Sequence, residues 1–190
     1  MINKALSLVL ALLLGGVCLV SPGSLPSARQ AGDLAVLTFS LPQEEETRQT
    51  AYGRLAACAL QPDSAEAWVA LADLYDRAEM YEQALRAASA AIRIDPSNSD
   101  ALLICMKCQT LLHQMDGALE ELDRFSVDEY HEASWNRWTM MLCADLVEAG
   151  RLEDARSVLR RVDEEKLNDQ LTWVFRRLES EINSSILVEE

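Results

Sequence analysis

Thiols and imidazoles are the groups best suited to chemistry in this chain of 190 residues, and they are few. Cys105-Met106-Lys107-Cys108 is a C-x-x-C, the spacing of a dithiol that exchanges with disulfides. Thiols of that kind react as thiolates and sit at helix N-termini, where the helix dipole lowers their pKa. Here the motif falls in the middle of a helical pattern, and that help is missing. A zinc site would need two further ligands. Only His113 and His131 are on offer, with no second C-x-x-C. Beyond residue 28 the cysteines are Cys58, Cys105, Cys108 and Cys143, and they read as small buried hydrophobes. In an exported chain a disulfide stays open, with no pairing assignable. There is no G-x-S-x-G, no glycine-rich phosphate loop and no H-E-x-x-H. The paired acids Asp73/Asp76 and Glu120/Glu121 read as solvated faces, and Trp135, Trp138 and Trp173 as packing residues. The expectation is no catalytic residue, no metal, no cofactor and no enzymatic activity.

The rest of the composition points to a helical domain. Apolar residues make up 49% and charged residues 25%, and only 7 glycines and 5 prolines punctuate the chain. The formal charge of -14 repels the phosphates of nucleic acids and anionic lipid heads alike. It serves solubility first; a basic partner is the sharper reading.

The first 28 residues read as a targeting segment. Lys4 precedes an apolar run from Ala5 to Val20, and a small-residue and proline stretch follows it. At 16 residues, the run is shorter than the ~20 that cross a bilayer comfortably. A cleaved signal peptide, cut between Gly23 and Ala31, is the first expectation. An uncleaved anchor through residues 5–20 is the second. Val17 before Cys18 is a poor match to a lipid-modified cysteine. Residues 29–43 are expected to link this segment to the domain. Within them Gly32–Leu41 leaves a brief helix, an extended lead-in and a disordered stub all open.

Residues 44–187 carry helical periodicity. Trp68, Leu71, Ala72 and Tyr75 recur at i, i+3, i+4 and i+7, and Ala84, Ala88 and Ala91 mark a second helix before Pro96. Pro62 and Pro96 lie 34 residues apart, as do Ala84 and Ala118; Ala118 and Ala155 lie 37 apart. Asp63 with Glu66, and Ser97 with Asp100, are placed to cap the helices that follow the two prolines. The units are a partial repeat at 44–62, repeats at 65–98, 99–132 and 136–166, and a last helix at 168–187. In the partial repeat the first helix is degenerate or missing. Gly150 suits a turn that needs φ > 0. Tyr130 stands where a closing proline belongs, and Phe125 is large for its slot.

The Trp-Leu-small-Tyr face, the small residues and the closing proline over 34 residues resemble the tetratricopeptide repeat, apart from Ala88 at a place usually aromatic. The resemblance implies an all-α fold: an antiparallel helix-pair solenoid of about three repeats with a C-terminal capping helix. It also implies a concave groove lined by the first helices, where a partner peptide or amphipathic helix lies. The groove places map to Val69, Asp73, Asp76 and Arg77, then to Leu103, Lys107 and Leu111, then to Arg137, Met140 and Val147. Val69 and Asp73 stand where one subfamily carries the Lys and Asn of a carboxylate clamp, so that clamp is not implied.

The functional expectation is a non-enzymatic scaffold or assembly factor that binds another protein, exported to the periplasm or another extracytoplasmic space, or tethered to a membrane by its N-terminus. It is not expected to bind nucleic acid. The alternatives are a cytosolic chaperone of secretion type and, less favoured, a thiol–disulfide enzyme using Cys105 and Cys108.

Overall fold

The computed structural model describes residues 26–125 and 132–189. The apolar segment at 5–20, the upstream part of the expected cut, and Tyr130 and His131 lie outside them. Among the described residues every regular element is helical, which is the all-α class expected. The chain divides into two compact units, one ending at Cys108 and one beginning at Gln109.

The first unit is built from α1 (Ala28–Phe39), α2 (Glu45–Leu60), α3 (Ala65–Arg77), α4 (Tyr81–Ile94) and the start of α5 (Ser99–Leu111). Residues 29–43 are therefore not a linker: most of them form α1. Ser27 opens it with a reciprocal capping box, its hydroxyl accepting from Gln30 N while Gln30 Oε1 accepts from Ser27 N. Leu34 and Leu37 are fully buried, and they stand 34 places before Trp68 and Leu71. The first helix of the partial repeat is thus degenerate rather than missing. Gly32, Asp33 and Thr38 interrupt its apolar pattern, and the structure explains two of them. Thr38 Oγ1 donates to its own helix at Leu34 O, 2.7 Å away. Asp33, 7% exposed, meets Arg86 at 3.2 Å and Arg93, both on α4.

Packing closes the first four helices on one another. α1 lies on α2, α2 on α3, α3 on α4, and α4 returns to α1. Inside are Leu55, Trp68, Leu71 and Tyr75, and opposite them an alanine face from Ala84, Ala87, Ala88 and Ala91. The small face lets α3 and α4 approach closely around the Trp68 and Tyr75 rings. Tyr75 Oη donates to Leu37 O at 2.8 Å, so the one polar atom of that ring is satisfied by α1. The helix starts fall one residue later than the expected caps. Ser64 caps α3, accepting from Ala67 N at 3.2 Å, and Asn98 Oδ1 accepts from Ala101 N at 2.9 Å. Ser97 is otherwise engaged, its hydroxyl donating to Asp95 at 2.7 Å.

The second unit contains the end of α5, α6 (Met115–Arg124), α7 (Glu132–Glu148), α8 (Leu152–Leu159), a 3-10 turn at Glu164–Lys166, and α9 (Asp169–Glu189). α7 packs on α6 and α8, and α9 packs on both α7 and α8 as a closing helix. Its stripe is Phe175, Leu178 and Ile182. Phe125 does not fill a slot on α6. It leaves the helix as its C-cap and stacks on Trp135, ring centroids 4.3 Å apart and planes 14° from parallel. Trp135 is 3% exposed and packs, as expected of it.

The turns inside the α3–α4, α5–α6 and α7–α8 pairs are the same. Met80 N, Gln114 N and Arg151 N donate five residues back, to Tyr75 O, Gln109 O and Leu146 O at 2.8–2.9 Å. Glu79, His113 and Gly150 precede them with φ of 58°, 54° and 72°. Each is a Schellman ending, in which one left-handed residue returns the last amides to orphan carbonyls. The three places follow the 34- and 37-residue spacings of the chain.

Candidate functional site

The outward face of α3 carries four of the expected groove residues. Val69 and Asp73 are half-buried and Arg77 is exposed. Asp73 and Arg77, one turn apart, pair in parallel at 3.0 and 3.1 Å. Asp76 takes Lys107 of α5 at 2.6 Å, with 12% and 25% of the two side chains exposed. Asp76 and Lys107 thus tie two helices together, and Asp76 Oδ1 is buried without a hydrogen bond. Leu103 is half-buried on α5, in the same unit.

Beside Asp73 and Arg77 opens a cleft of about 760 Å³. α3 supplies Ala70, Asp73, Leu74 and Arg77; α2 supplies Glu46, Thr50 and Arg54; Leu41 and Pro42 line it from the α1–α2 connection. The walls alternate carboxylate and guanidinium over an aliphatic lining. Such a lining offers apolar contact with charges of both signs beside it. The α2 wall does not follow from the repeat pattern, which makes residues 44–62 only the second helix of a partial repeat. The signal was the polar run Glu46, Thr47, Thr50 and Arg54 on one side of α2, opposite its buried Ala51, Leu55 and Cys58.

In the second unit Arg137 is exposed, and Leu111 and Val147 are half-buried. Met140, expected to face a partner, is only 2% exposed and belongs to the core; its neighbour Met141 is 40% exposed. α7 is buried around more of its circumference than a one-sided stripe allows, with Asn136 and Thr139 inside as well.

The thiols are poorly placed for exchange chemistry. Cys105 and Cys108 are fully buried, and none of the four described cysteines forms a disulfide. Burial pushes the Cys108 thiol up to about 12, with Asp76 adding to the rise and Lys107 opposing it. Burial does the same to Cys58 and Cys143, also to about 12. Cys143 Sγ donates to Ala155 O at 3.4 Å, a packing contact. A thiol at about 12 offers almost no thiolate near neutral pH, the opposite of what a dithiol enzyme needs. Among the described residues no three His, Cys, Asp or Glu side chains are grouped to hold a metal. No described helix is long and apolar enough to cross a membrane.

The unit made by α3, its Schellman turn, α4 and Pro96 has the length and the buried face of one known repeat. Residues 65–98 match the tetratricopeptide repeat. No curated protein and no solved structure matches the chain. The tetratricopeptide match covers Trp68, Leu71, Ala72 and Tyr75 and the Ala84, Ala88 and Ala91 face, all fully buried. Repeats of this kind generally mediate protein–protein contacts, and the tetratricopeptide unit here has Asp73 and Arg77 of its first helix on the open cleft.

Proposed function

We propose that the protein is a non-enzymatic scaffold that holds another protein through a peptide or amphipathic helix seated on α3. The observation that carries this is the cleft between α2 and α3, opening on the first helix of a matched tetratricopeptide repeat. Its apolar lining takes hydrophobic anchors, while Asp73, Arg77, Glu46 and Arg54 fix the register of the bound segment by charge. Leu103 extends the apolar surface on α5. The apolar run at 5–20 and the small residues after it favour a setting outside the cytoplasm, reached by export or kept by a membrane tether. The burial of Cys105 and Cys108 speaks against the dithiol alternative.

The test is capture from envelope and membrane extract with the natural chain, beside an Arg77→Glu/Leu103→Glu variant shown by circular dichroism to fold. A protein retained by the natural chain and lost by the variant is the expected result. Equal retention by both places the binding surface elsewhere. Fractionation of the natural chain tests the setting: a soluble cytosolic product still starting at Met1 removes export and tether together.

A further inference from the structure

The second unit holds a cleft of its own, about 340 Å³, between α8 and α9. Its floor is apolar: Leu159, Phe175 and Ile182 are 6%, 9% and 2% exposed. Its walls are polar, and each is a pair of side chains one helical turn apart. Arg156 and Arg160 stand on the α8 side, Glu179 and Asn183 on the α9 side. Arg156 is held in place, its Nη2 donating to Asn183 Oδ1 at 3.3 Å and its Nη1 lying 3.9 Å from Glu153 Oε1.

Arg160 differs from the arginines around it. Arg151 pairs with Asp116 at 2.6 Å and Asp154 at 2.7 Å, and Arg161 pairs with Asp123. Arg176 pairs with Glu164 at 2.9 Å, and Arg177 lies 5.6 Å over the Trp173 ring. Arg160 is exposed and has no side-chain partner among the described residues, and Glu179 across the cleft makes no ion pair with it. Among the arginines from Arg151 to Arg177, Arg160 is the one that no acid, amide or ring of the described residues engages. This one stands at the edge of an apolar floor.

We propose that this cleft binds a partner segment that sets a carboxylate beside a large apolar side chain. The apolar group covers Leu159, Phe175 and Ile182. The carboxylate takes Arg160 in the two-pronged geometry that guanidinium favours. Arg156, loosely paired with Glu153, adds a weaker second charge, and because Asn183 already holds it, little side-chain freedom is lost on binding. The surface is separate from the α2/α3 cleft, and the inference stands without the function proposed there.

The test uses the full chain and two short, end-blocked, fluorescein-labelled helical peptides. One is built of alanine, leucine and glutamate, with glutamates one turn apart beside a leucine stripe. The other has lysine for every glutamate. Anisotropy should show the glutamate peptide binding at least about tenfold tighter than the lysine peptide. Arg160→Glu, a change at an exposed side chain, should weaken the glutamate peptide by about tenfold or more. Asp73→Lys/Arg77→Glu in the other cleft should leave it unchanged. Equal binding of the two peptides, full affinity in Arg160→Glu, or no binding of the glutamate peptide up to its solubility limit would each overturn the proposal. Loss of binding in the Asp73/Arg77 variant would do so too, by assigning the peptide to the first cleft.

Discussion

Glu79 and His113 hold a left-handed backbone that a Cβ resists by about 1–2 kcal/mol, whereas Gly150 holds it freely. Glycine in place of either gives up some of that gain through its greater freedom in the unfolded chain. Glu79→Gly and His113→Gly are therefore expected to raise unfolding stability by roughly 0.5–1 kcal/mol each, and Gly150→Ala to lower it by about 1 kcal/mol, measured by urea denaturation. Only Gly150 was legible as such a turn from its type. The other two are visible once their 34- and 37-residue spacing is laid over the backbone, because neither Glu nor His advertises positive φ. The buried thiols make a second prediction at this scale. Cys58, Cys108 and Cys143 titrate near 12 when folded against an ordinary 9.0. Between those values the folded chain binds more protons than the unfolded one, so stability is complete below pH 9 and falls as pH rises toward 12. Melting temperatures across that range should decline, and the decline should shallow in a Cys58→Ala/Cys143→Ala variant.

At the scale of the element, α1 is the part the sequence disguised. Its apolar residues are few, and Asp33 looks like a solvent residue until Arg86 and Arg93 are seen beside it. A buried carboxylate that loses its charge leaves its partners uncompensated, but both arginines are partly exposed here, which reduces the cost. Asp33→Asn should destabilise the protein by roughly 2 kcal/mol in urea, with amide protection lost first along α1. A variant as stable as the natural chain would show that the contact carries nothing. α3 is the opposite case. Its Trp68, Leu71, Ala72 and Tyr75 were readable because all four are buried at one helical spacing. Leu71→Asp puts a charge into that face and should abolish the cooperative melt. The second helices shorten along the chain, from 14 residues in α4 to 10 in α6 and 8 in α8. Periodicity alone did not show this. Val162 continues the apolar stripe of α8 but is buried from a turn beyond the helix.

For the whole molecule, charge is the dominant fact. A net -14 on a chain of this length repels itself in the folded state, and salt screens that repulsion. The melting temperature at neutral pH should therefore rise between low salt and half-molar sodium chloride; a fall would mean that favourable ion pairs outweigh the repulsion. The class of fold was readable from residue spacing, since a repeated face must be buried by its neighbours. The α2/α3 cleft was legible only in part. Val69 and Asp73 are half-buried and Arg77 is exposed on the outward face of α3. Asp76 and Lys107 neutralise each other across two helices, and Met140 is interior. Pairing and burial of that kind depend on which helix lies opposite, and a pattern along one chain does not carry it.

The Pro62 carbonyl, between α1 and the enclosed Trp68, has a use in the laboratory. Pro62 O accepts from Gln30 Nε2 of α1 at 2.6 Å and from the Trp68 indole at 3.0 Å. Trp68 is wholly enclosed, whereas Trp173 is 63% exposed. With Trp135, Trp138 and Trp173 each replaced by phenylalanine, emission from Trp68 alone would report on the seating of α1, shifting to the red as that helix lifts and water reaches the indole. The protein then carries an optical gauge for its own first helix, with no dye attached.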